Sequence, residues 1–170
     1  DFDAKAVLPS VKALFETIPT RGAPKDPLAP GFDPNVSSLK KIARETLEDN
    51  VELSKVVMAW QSPKRFSPGD AEFDLLGTVL SSGKASRLYE SLVYTKKLAQ
   101  SVDVHQESGT LGSRFVVDVM ARPGASLDAL EKAIDAELDK IRKAEVTDEE
   151  LQRSKNGVES AFMHRLETVR

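Results

Sequence analysis

GKASRLYESLVYTKKLAQSVDV, residues 83–104, decides how the rest of the chain is read. It opens on a small polar turn and runs into a helical pattern, with Leu88, Leu92 and Thr95 at the spacing of one buried face. From Ser101 the period changes to two. Val102 and Val104 fall on one side and Asp103 and His105 on the other, the alternation of a half-buried strand.

Downstream, Ser101–Glu107 is expected to pair with Ser113–Ala121 across Ser108-Gly109-Thr110-Leu111-Gly112. In the return strand Phe115, Val117 and Val119 point one way and Arg114 and Asp118 the other, so one face is buried. Ser126 then caps a helix striped by Leu127, Leu130, Ile134, Leu138 and Ile141. Thr147-Asp148-Glu149-Glu150 has the form of a capping box. It opens a last helix with Leu151, Val158, Phe162, Leu166 and Val169 along one side.

Upstream, Val51–Gln61 reads as the strongest strand. Val56 to Trp60 is apolar on both faces, which predicts a central position, and Pro63 ends it. Lys40–Leu47 reads as a charged edge strand, followed by turn residues Glu48, Asp49 and Asn50. Pro68-Gly69-Asp70 starts a helix with Phe73, Leu76 and Leu80 on one face, and Ser81, Ser82 and Gly83 break it. Two strands, two helices, two strands and two helices predict an α+β fold in two layers, a mostly antiparallel sheet with helices packed on one face. Before all this, Ala4–Ile18 carries a helical stripe at Val7, Val11, Leu14, Phe15 and Ile18. Five prolines between Pro19 and Pro34 then permit neither a helix nor a central strand.

The 170 residues favour one main domain, and 40% hydrophobic with 30% charged residues supports a single core under a well-solvated surface. A net charge of −3 with both signs interleaved leaves no footprint for nucleic acid or anionic membrane. No apolar run approaches the ~18 residues of a membrane span. The absence of cysteine excludes disulfides and thiolate metal sites but leaves the compartment open. Opening on DFDAK and stopping at ETVR in mid-pattern, the chain reads as a fragment.

Motifs for local chemistry are few. Ser81–Ser86 invites a phosphate-loop reading, but Thr78 stands where that loop needs glycine and Ala85 where it needs Ser or Thr. A glycine cap between two helices accounts for it better. His105 and His164 are the two histidines, with no spacing that builds a zinc site locally. The mixed-sign runs Asp135–Lys143 and Asp148–Lys155 read as solvated helix faces.

Residues 82–102 resemble the second domain of the insulinase/pitrilysin-type (M16) zinc peptidases, the family that includes the mitochondrial processing peptidases. Ser86, Arg87 and Leu88 match its Ser-Arg-Leu, and Lys97, Leu98, Ala99, Ser101 and Val102 match the Lys-x-Leu-Ala strand entry. Asp1-Phe2-Asp3 with Phe15 and Ile18-Pro19 is similar to the close of that family's first domain. Leu111–Phe115, Ala121–Gly124 and Thr147–Leu151 also fit. The resemblance implies three segments: 1–18 as the tail helix of a preceding zinc domain, 19–39 as a linker, and 40–170 as the non-catalytic domain, truncated at its C-terminal end. It also implies a metallohydrolase-like fold.

In this family the zinc motif His-x-x-Glu-His belongs to the first domain, so the resemblance implies zinc upstream of Asp1 and no catalytic or metal-binding residue in this chain. Many relatives carry an Arg–Tyr pair that clamps substrate; those positions here are Val93 and Gln100, which cannot do that job. The implied role is to form chamber wall and brace the zinc domain of a metalloendopeptidase, facing a second, similar half. Peptide substrate or a neighbouring domain is expected at Ser82, Gly83, Lys84, Ser86 and Arg87, because the family's glycine-rich loop lies there. The alternative is a domain of a catalytically inactive homologue acting as a binding or assembly subunit. A third reading, outside the family, is a free-standing small-molecule-binding domain. Parents of this kind in bacteria are commonly exported, so the resemblance implies the periplasm.

Overall fold

The computed structural model describes residues 3–19, 22 and 41–167; apart from Pro19 and Gly22, the expected linker lies outside them. The chain divides into two compact units, Asp1–Val36 and Ser37–Arg170. The first contains helix α1, Ala4–Phe15, capped by Asp3, whose carboxylate accepts from the Lys5 amide at 2.9 Å. Pro9 lies inside it and removes one helical hydrogen bond. Its apolar stripe, from Val7 to Phe15, is exposed throughout.

The second unit runs β1 (Lys55–Ser62), α2 (Asp70–Ser81), a π-helix (Tyr89–Thr95), β2 (Ala99–Glu107), β3 (Ser113–Ala121), α3 (Leu127–Lys143) and α4 (Asp148–Glu167). The strands form one antiparallel sheet in the order β1-β3-β2. Its register aligns Val56 with Val119 and Val102, and Met58 with Val117 and Val104. Facing pairs share a side of the sheet, so these residues and Phe115 make one apolar face. Leu80 of α2, Leu88 and Leu92, and Leu130 and Ile134 of α3 close over it as the core. Phe73 meets Phe115 edge-on at 5.3 Å between ring centroids. The fold is therefore the expected α+β arrangement of antiparallel sheet and helices.

Four details differ from expectation. Residues 41–50 form no strand. Ile42 and Leu47 are both exposed there, and without an apolar face to bury the segment has little reason to pair; Arg44 reaches Glu131 of α3 instead. Second, β1 is an edge strand and β3 the central one. An apolar run does not distinguish edge from centre when the outer face is left uncovered, and Val57 is 52% exposed.

Third, the organising helix is wound as a π-helix, with the Lys96 amide reaching back five residues to the Ser91 carbonyl at 2.8 Å. The wider winding turns Val93 into the core beside Leu92 and leaves Thr95 exposed. Fourth, the expected stripe of α4 is not buried: Val158, Phe162 and Leu166 are exposed, Leu151 is half-buried, and Val169 lies outside the described residues.

Candidate functional site

Helix α2 stops because its last residues satisfy themselves elsewhere. Ser81 Oγ turns back to the Gly77 carbonyl and across to the backbone of Val104, and Ser82 is extended, its amide closing the final turn on Thr78. Gly83 follows at φ +78, a left-handed conformation that glycine adopts without strain, and a Cβ there would meet nothing. The Ser86 amide and hydroxyl both donate to the Gly83 carbonyl, at 3.2 and 2.7 Å, and fold the turn shut. The expected glycine cap between two helices is thus present.

The turn sorts the five expected contact residues into two groups. Ser82, Gly83 and Lys84 are exposed. Ser86 is buried, and Arg87 points inward to the start of α4. There Arg87 Nε and Nη2 donate to the two oxygens of Glu150, each at 2.6 Å, and Nη2 also reaches the Glu145 carbonyl at 3.2 Å. Glu150 in turn accepts from the amide and hydroxyl of Thr147 at 2.9 and 3.0 Å, closing the capping box. The Arg87 guanidinium, helped by the Thr147 donors, holds the Glu150 carboxyl down at about 2. Arg153 adds a bond to the Ala85 carbonyl at 3.4 Å.

Beside the exposed half of the turn lies an open depression lined by Lys84, Ala85, Glu90, Tyr94 and Thr95. Tyr94 is exposed on the π-helix, its ring tilted against Tyr89 at 6.2 Å. The spacing of apolar residues gave no signal for Glu90 and Tyr94, which an α-helical period assigns to other faces, and it placed Thr95 on the buried face rather than here. Behind the π-helix, Glu137 of α3 is buried, against the expectation of a solvated face. Its Oε1 accepts from Ser91, Lys96 and Lys140 at 2.6, 3.0 and 2.9 Å. Burial pushes its carboxyl up, but those three donors outweigh it and the group stays below the ordinary glutamate range. Of the two positions that the resemblance compares with an Arg–Tyr pair, Val93 is buried, and exposed Gln100 lies at an irregularity where the strand register shifts between Ala99 and Ser101.

His105 stands on the outer sheet face between Asp103, 2.7 Å from Nδ1, and Glu107, 3.6 Å from Nε2. Among the described residues no group of three or more His, Asp or Glu is placed to hold a metal ion. Chemically, the turn offers an exposed cation and free surface beside an aromatic ring, on a frame fixed from behind.

A family model for the peptidase M16 inactive domain matches residues 1–158. The chain belongs to this family. The inactive domain is 31% identical over 121 residues to zinc protease PqqE of Helicobacter pylori, a match that covers 71% of the chain and 27% of that relative. Among solved structures it is similar to a protease from Helicobacter pylori, with a TM-score of 0.75 at 24% identity over 99% of the chain and 40% of the other. An inactive peptidase domain from Bordetella parapertussis gives a TM-score of 0.62 at 24% identity, over 71% of the chain and 65% of the other. The structural likenesses carry the fold. The chain spans about a quarter of the curated relative's length.

Proposed function

We propose that this inactive domain is a structural part of a longer zinc metalloendopeptidase, the parent, in which it forms part of the chamber wall and supports the zinc domain. The match to an inactive-domain family over residues 1–158 carries this reading, and the 31% likeness to a protein named a zinc protease supports the parent's chemistry. On this reading residues 1–18 end the zinc domain, 19–39 link it, and 40–170 form the supporting domain. The zinc, its ligands and the general base belong upstream of Asp1, a second similar half faces the chamber, and the parent is exported to the periplasm.

The test is metal analysis and peptide cleavage on the parent and on the 170-residue chain. Stoichiometric zinc and cleavage are expected in the parent alone. Zinc on the isolated chain would overturn the assignment, and a parent without zinc or cleavage would make it a binding or assembly subunit. Cell fractionation checks the compartment, with the parent expected in the periplasmic fraction. Within the site, Lys84 is the exposed cation beside the depression. Lys84→Ala in the parent is expected to change KM for peptides several-fold, with kcat within about twofold. Unchanged kinetics would remove the turn from the substrate path.

A further inference from the structure

One carboxylate matches the winding of the helix beside the turn. Glu137 Oε1 gathers the Ser91 hydroxyl and the Lys96 ammonium. These are the two residues whose backbones make the wide hydrogen bond of the π-helix, from the Lys96 amide to the Ser91 carbonyl. At ~100° per residue, positions five apart stand about 140° apart around an α-helix. A helix that closes its bonds over five residues brings them onto one side, where a single buried oxygen can hold both.

The far end of the segment is also tied down. The Leu98 amide bonds back to the Leu92 carbonyl at 2.9 Å, and Lys97 before it takes φ +54, a left-handed conformation that is costly for a residue with a side chain. Arg122 spans this bend. Its Nη2 donates to the Val93 carbonyl at 3.3 Å and its Nε to the Ala99 carbonyl at 3.1 Å. A strained backbone persists only where its surroundings over-determine it, and such segments cluster at ligand sites. What this winding presents is one wall of the depression. Tyr94, 59% exposed, is the one aromatic ring among the lining residues. Lys84, Glu90 and Thr95 line the rest, and among the described residues none of their side chains has a hydrogen-bond or ion-pair partner. In an α-helical winding Thr95 would share the buried face of Leu88 and Leu92, and Tyr94 would turn with it.

We propose that the depression is a peptide subsite in which an apolar side chain of an extended peptide rests on Tyr94, and that Glu137 is the positioning residue that sets it. Glu137 touches no peptide; it acts through Ser91 and Lys96, by holding the winding that turns Tyr94 and Thr95 outward beside Lys84. The assignment rests on the reading of the turn as part of the parent's substrate path.

Two measurements test it. In the 170-residue chain, an NMR correlation across the hydrogen bond is expected to join the Lys96 amide to the Ser91 carbonyl, and in Glu137→Ala to join it to Leu92 instead. An unchanged Ser91 partner in the variant would overturn the positioning role. Ser91→Ala with Lys96→Met removes the same two bonds from the other side and carries the same two outcomes where Glu137→Ala does not fold. In the parent, Tyr94→Ala and Glu137→Ala are each expected to raise KM for a leucine-bearing quenched-fluorescent peptide about 5-fold, with kcat within about twofold. The double variant is expected to match Tyr94→Ala alone, because both changes act on one surface; effects that add in full would overturn the coupling. A KM shift just as large for the same peptide with alanine in place of leucine would overturn the apolar seat. A parent that cleaves with KM unmoved by either variant overturns the subsite and leaves the peptidase reading standing. A parent without zinc or cleavage sinks that reading, and the Kd of the same peptide then decides the subsite: raised by both variants it stands, unmoved it falls.

Discussion

Arg87 lies four residues after Gly83, yet its guanidinium is committed to Glu150, with side chains only 21% and 16% exposed. A bidentate, largely buried pair contributes more than a surface one, so Arg87→Ala is expected to cost about 2 kcal/mol in urea unfolding. Because the Glu150 carboxyl is depressed in the fold, from 4.5 to about 2, its contribution is complete above pH ~4.5 and is lost as pH falls toward 2. Glu150→Gln should therefore remove much of the stability difference between pH 5 and pH 2.5; an unchanged acid limb would show that other carboxylates carry it. The sequence showed half of this arrangement. The capping box at Thr147 was legible from its spacing, but the cation that completes it lies 63 residues earlier, a separation that local pattern does not reach. Glu137 was hidden for the same reason: its donors Ser91 and Lys96 lie on another element.

Among elements, β2 and the stripe of α3 follow directly from periods of two and 3.6, because each buries a single face, and β3 follows the same period although Val116 is buried on its other face as well. The π-helix does not, since its widening depends on which carbonyl an amide selects, and side-chain spacing carries no record of that choice. The edge position of β1 escaped as well, because an apolar run looks the same whether its outer side is covered by this chain or by something else. At this scale Gly77 yields a prediction that runs against propensity. Glycine to alanine inside a helix ordinarily gains up to about 1 kcal/mol. At Gly77 the new methyl meets the Val104 carbonyl at 2.9 Å, and that oxygen is held in the strand. Gly77→Ala is expected to destabilise the chain by about 1–3 kcal/mol in thermal or urea unfolding; a stabilised variant would show that α2 can slide off the edge.

Across the whole molecule, stability is expected to be uneven. Helix α1 is 12 residues long, contains Pro9 and has no buried residue, and a helix that short is marginal without packing. Its amides should exchange orders of magnitude faster than those of Val117 and Val119, both fully buried at the centre of the sheet; matched rates in the isolated chain would mean α1 is held by contacts its burial does not reveal. The family as a whole was legible, since its signature lies in the turn and strand entry around Ser86–Val102. What each residue of that signature does had to come from the folded chain. The meeting of α2 with β2 also bears on assembly. Ser81 already occupies the outward amide and carbonyl of Val104, so no second copy can add a strand there, and a fibril, which needs two receptive sides on every unit, cannot propagate through this sheet.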